Sequence, residues 1–133
     1  KKIDRVNHWD LVDATAHKLI GPHLESGDRR LLDRLVKQPD LWRPRIAIIA
    51  TLHFIKQGSY DDTLRLADQL LDHPHDLIHK AVGWMLREVG KQDRPLLEGY
   101  LSSRYRQMPR TMLRYAIERF PERRRQAYLR GDA

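Results

Sequence analysis

Three prolines, Pro39, Pro74 and Pro109, stand 35 residues apart, and each precedes a segment whose apolar residues recur at helical spacing. A fixed interval between helix breakers, followed each time by the same pattern, is the signature of a repeat. Repeats restrict a fold to units that bury their apolar faces against their neighbours. Sliding the chain by that interval places Ile46 on Ala81 and Ala116, Ala47 on Val82 and Ile117, and Lys56-Gln57 on Lys91-Gln92. Backwards, it reaches Leu11 and Val12. Each unit reads as two helices, over 41–57 and 60–71, 76–91 and 94–105, 111–120 and 121–129, with 9–20 and 28–37 as a partial pair in front. Gly58 and Gly131 sit where helices stop, and Pro121 where one begins. No segment alternates with period two between hairpin turns. The expected fold is all-α, an α-solenoid of two-helix repeats forming one domain over 1–133.

The first helices carry IAIIATL (46–52) and AVGWML (81–86), whereas second helices such as DDTLRLADQLLD (61–72) are amphipathic. First helices therefore form the inner layer, which in a solenoid lines the concave, ligand-facing side. With 133 residues and 41% hydrophobic content, a chain of this size buries roughly two-thirds of its unfolded surface. Its core then needs no disulfide or metal. No apolar run approaches the ~20 residues of a membrane span, and KKIDRVNHWDLVD lacks a signal-peptide core, so a cytosolic protein is expected. The absence of cysteine excludes thiolate metal sites and a cysteine nucleophile.

The net charge is +7, and 18 of the 25 cations are arginine, the side chain best shaped for bidentate phosphate contact. A polyanion partner and a merely solvated helical surface both fit that excess. Position separates them better than number. Lys80, Trp84, Arg87 and Lys91 lie at i, i+4, i+7 and i+11, one stripe of cation, indole, cation, cation. Such interleaving suits nucleic acid, with cations on phosphates and the aromatic on a base or sugar. A core tryptophan flanked by snorkelling cations gives the same pattern. Arg45 shares the repeat position of Lys80, and Arg110 with Arg114 repeats the i, i+4 spacing in the last unit. The run Arg123-Arg124-Arg125 reads as solvated surface.

Trp9 and Asp13 are one helical turn apart. A carboxylate among Leu11, Val12, Ala14 and Ala16 is costly to desolvate unless it is paired or lines a cleft. An exposed aspartate, or a partner for Arg5, is the plainer reading. His75 and His79 have helical metal-pair spacing, but no H-E-x-x-H pattern accompanies them, so no metal site is assigned. P-loop, dinucleotide and hydrolase-elbow motifs are missing from the sequence.

The strings NHWDLVD (7–13), LWRPRIAIIAT (41–51), DDTL (61–64), HDLIHKAVGWMLREVGK (75–91) and MPRTMLRYAIE (108–118) together resemble the AlkD-type DNA alkylation repair family. The resemblance covers nearly the whole chain. It implies a HEAT-like solenoid acting as a monofunctional DNA glycosylase on cationic N3- and N7-alkylated purines in double-stranded DNA, as a monomer with no cofactor and no obligate protein partner. It also implies that Asp13 is the catalytic carboxylate, that Trp9 and Trp84 face the sugar, and that Arg45 is an essential arginine. Arg87 is implied as a phosphate contact, with Lys80, Lys91, Arg110 and Arg114 available to the DNA backbone. Family members carry further helices ahead of the tryptophan–aspartate helix, whereas Trp9 lies eight residues from Lys1, so this chain is expected to be the C-terminal portion of the full fold. The rival class is a non-catalytic solenoid that binds distorted or branched DNA through the same cations. A protein-interaction scaffold is a third reading, distinguished by weak DNA binding even at low salt.

Overall fold

The computed structural model describes residues 30–133. They form α1 (Arg30–Val36), α2 (Trp42–Ala50), α3 (Leu52–Ile55), α4 (Asp61–Leu70), α5 (Asp76–Gln92), α6 (Arg94–Ser102), α7 (Arg110–Ala116) and α8 (Glu122–Arg130). Among the described residues the architecture is all-helical. The expected helix over 9–20 lies outside them, as do Trp9 and Asp13.

Local chemistry sets the helix ends. His75 caps α5 by accepting the Leu77 amide proton, and Asp93 caps α6 by accepting that of Leu96 at 3.1 Å. Pro109 and Pro121 are the N-caps of α7 and α8, and Gly131 closes α8 at φ 86°, a left-handed conformation that favours glycine. The expected helix over 41–57 is broken at Thr51. Its hydroxyl donates to the Ile48 carbonyl at 2.6 Å and accepts from the Thr63 hydroxyl at 2.7 Å, a side-chain alternative to the backbone ladder. Helices α6 and α7 also stop short of the expected limits at 105 and 120, in turns where Tyr105 and Ile117 amides still bond back to Leu101 and Leu113.

Helix α2 is buried along the whole run Pro44–Ala50, because α1, α4 and α5 pack around it. Helix α5 is the hub and touches α2, α4, α6 and α7. It buries Ile78, Ala81, Val82, Met85, Leu86 and Val89 on one side. Each of these side chains except Ala81 contributes roughly 1.5–3 kcal/mol on removal from water. The second helices are one-sided. α4 buries Leu66, Ala67 and Leu70, and α8 is held by Tyr128, whose ring meets Tyr105 edge-on at 5.0 Å.

Polar contacts between second helices repeat with the sequence interval. Asp33 accepts from Arg65 and Gln69, 32 and 36 residues on, and Asp68 accepts from Tyr100 and Arg104 at the same two separations. Glu98 gathers Arg94, Arg124 and Tyr128 in the last unit.

Candidate nucleic-acid interface

Helix α5 presents the residues singled out by spacing. Trp84 is half-buried and packs against the core, which leaves part of the indole at the surface. Lys80 and Lys91 are more than two-fifths exposed and pair only loosely within the helix, with Asp76 at 3.7 Å and Glu88 at 3.2 Å. Exposed pairs of this kind are worth ~1 kcal/mol or less, so either ammonium can exchange its partner for a phosphate. Arg110 and Arg114 on α7 are exposed and make no ion pair among the described residues.

Gly83 determines how α5 meets α7. A Cβ added there would lie 2.5 Å from Tyr115 Cβ and 2.6 Å from the Met112 carbonyl oxygen, so the helices cross at backbone contact. That crossing brings Arg87 beside Arg114, Tyr115, Glu118 and Arg125, which line an open cleft of about 460 Å³. Arg87 on α5 is ion-paired to Glu118 in the turn that follows α7. Arg114 is the one residue of the Arg110/Arg114 pair that lines this cleft.

Arg45 lies elsewhere. It is 6% exposed, and its Nη1 donates to the Leu77 carbonyl at the start of α5. It is a strut between successive first helices, so its guanidinium is at least partly engaged by the protein. The solvated reading of Arg123-Arg124-Arg125 holds for Arg123 alone. Arg124 bonds Glu98 at 2.8 Å and covers the Tyr128 ring, while Arg125 turns into the cleft. Sequence reasoning missed Tyr115, Glu118 and Arg125; the available signal was a glycine in the middle of an otherwise uninterrupted helix.

The histidines of HPHDLIH form a capping turn. His73 Nδ1 accepts the His75 amide proton at 3.1 Å, His75 Nδ1 accepts that of Leu77 at 3.1 Å, and His79 Nε2 bonds the His73 carbonyl. Burial, then the neighbouring His79 and His75, push the His73 imidazole below the usual histidine range. Among the described residues no group of potential ligands is arranged to hold a metal ion, and no helix is long and apolar enough to cross a membrane.

A cation-lined helical surface with an indole among its charges is a pattern that suits a polyanion. The DNA alkylation repair enzyme family matches residues 1–120, and the chain belongs to that family. No curated protein and no solved structure matches it. Membership supports a role in DNA repair, hence contact with DNA.

Proposed function

We propose that the protein is a DNA glycosylase that removes cationic N3- and N7-alkylated purines, such as 3-methyladenine and 7-methylguanine, from double-stranded DNA in base excision repair. The observation that carries this reading is the α5 surface, where the half-buried Trp84 stands between Lys80 and Arg87 beside an arginine-lined cleft, in a chain of a DNA alkylation repair family. The recurrence of the Asp33 contacts at Asp68 supports HEAT-like repeats stacked as an α-solenoid, with Trp84 and Arg87 on an inner helix. The protein acts as a monomer in the cytosol and uses no cofactor.

The chemistry suits a site without a general acid. An alkylated purine is already a cation, so when the N-glycosidic bond breaks, its electron pair returns to the ring nitrogen and the base leaves neutral. Positive charge then develops at C1′ of the sugar. Asp13 stabilises that oxocarbenium-like state and orients the water whose oxygen bonds C1′ as its proton is released. Trp9 and Trp84 line the sugar, adding cation–π stabilisation and excluding bulk water. Arg87 holds a flanking phosphate, and Arg45 contributes from the α2–α5 junction.

Incubating the full chain with methylated duplex DNA and measuring freed 3-methyladenine and 7-methylguanine tests this reading. Release above the spontaneous rate supports it. Duplex binding without release would instead make the protein a non-catalytic binder of distorted or branched DNA.

A further inference from the structure

We propose that the cleft between α5, α7 and α8 is a binding site for one backbone phosphate of duplex DNA, and that Glu118 occupies it as an intramolecular stand-in until DNA displaces it. This rests on the reading that the chain binds DNA with Arg87 on a phosphate, and adds to it the two arginines that share that phosphate and the residue that controls access.

The cleft collects Arg87, Arg114 and Arg125 around one carboxylate, Glu118. Glu118 is more than half exposed and is reached through Arg87 Nη1, so its side chain can swing out without disturbing the core. Its single contact leaves the arginine fork half used. Arg87 Nε is buried with no hydrogen-bond acceptor among the described residues, and Glu88 Oε2 lies 4.0 Å from it. Arg125 is in the same condition. Its Nη1 pairs with Glu122 at 2.5 Å, while its Nε is buried without an acceptor among the described residues. Arg114, exposed at the rim, makes no ion pair among the described residues.

Three guanidiniums lining one open cleft around a single carboxylate suit an acceptor with more oxygens than that carboxylate's one contact supplies. A phosphodiester carries two non-bridging oxygens and one negative charge, and guanidiniums converging on one cleft can divide those oxygens between them. The cleft is wide open and lies at the close crossing of α5 and α7, one helical turn from Trp84. A strand passing over the indole therefore meets it without distortion of the protein. In the free protein Glu118 partly compensates the three guanidiniums, which limits adventitious anion binding.

The experiment is fluorescence anisotropy of the full chain with an unmodified duplex across a salt series, comparing wild type with Glu118→Gln, Arg114→Gln, Arg87→Gln and the Arg87→Gln/Glu118→Gln double variant. Circular dichroism confirms that each is folded. Glu118→Gln is expected to tighten binding about three- to tenfold, a gain typical of removing one competing charge, and Arg114→Gln to weaken it and lower the salt slope by about 0.9, one phosphate. The Glu118→Gln gain should vanish in the Arg87→Gln background. Unchanged or weaker binding by folded Glu118→Gln overturns the proposal, as does a gain that persists without Arg87, since that would be a net-charge effect. Saturable binding of inorganic phosphate with duplex affinity indifferent to Glu118→Gln would assign the cleft to a free anion and also overturns it. Because the duplex is unmodified and no base release is read, failure of the cleft is separable from failure of the glycosylase reading, which the base-release assay decides independently.

Discussion

Tyr100 donates its hydroxyl proton to Asp68 Oδ1 at 2.9 Å, the counterpart, one interval later, of the bond from Arg65 to Asp33 at 3.1 Å. Burial, reinforced by the bond to Asp68, pushes the Tyr100 phenol well above its usual range, so it is a committed donor at any working pH. Asp68→Ala leaves that nearly buried hydroxyl without its acceptor and should destabilise the protein by about 1–3 kcal/mol. The exposed Arg104 pair adds little. Thermal denaturation of Asp68→Ala, Tyr100→Phe and the double variant checks this, with the double variant losing less than the sum of the two.

The glycines form a graded series. Gly83→Ala sets a methyl against Tyr115 Cβ and the Met112 carbonyl. The latter belongs to the backbone and cannot step aside, so a net loss of about 1–3 kcal/mol is expected. Duplex affinity should fall with it, since the same crossing builds the cleft. At Gly90 the obstacle is the end of the Leu97 side chain, which can rotate, and the cost should stay below about 1 kcal/mol. An added Cβ at Gly99 meets nothing within 4 Å, so Gly99→Ala should stabilise α6 by about 0.5–1 kcal/mol through helix propensity. Chemical denaturation of the three variants gives the order directly.

Stability should fall in two stages as pH drops. Because His73 binds its proton less readily in the folded protein, the unfolded chain takes up more protons below roughly pH 6.5, and stability declines there. His73→Asn, whose side-chain oxygen can still accept the His75 amide proton, should flatten that first decline. A second stage belongs to carboxylates. Against the burial that raises it, Asp33 is held below its ordinary range by the Gln69 and Arg65 hydrogen bonds and the charges of Arg65 and Lys37. Glu98 is likewise depressed, against its burial, by Tyr128, Arg124 and Arg94. Their contribution is complete above the ordinary carboxylate range, roughly pH 4, and is lost as pH falls through the lower native values. Melting temperatures from pH 8 to pH 3 resolve the two stages.

Among the described residues, the interval between Pro39, Pro74 and Pro109 was enough to read the helices, because breaker spacing and apolar phase agree. What the spacing did not carry were helix limits decided by tertiary partners. Thr51, where 41–57 is interrupted, is bonded by Thr63 from another helix. The stripe of Lys80, Trp84, Arg87 and Lys91 was legible for the same reason as the helix that bears it, since one element contains all four. Glu118, Tyr115 and Arg125 come from two other elements, and no period links them to Arg87. Their convergence depends on the close approach at Gly83. The burial of Arg45 was also illegible, because its partner, the Leu77 carbonyl, is a backbone atom 32 residues away.

In the proposed reaction a carboxylate, not a general acid, drives loss of an already cationic base. The most direct measurement is the single-turnover rate of 7-methylguanine release from a duplex carrying that lesion, for wild type and Asp13→Asn, with duplex affinity measured in parallel. Wild type is expected to release the base, and Asp13→Asn to do so at a rate lower by about 100-fold or more, with affinity retained. Equal rates in the two proteins, or no release by a wild-type protein that binds the duplex, would contradict the proposed reaction.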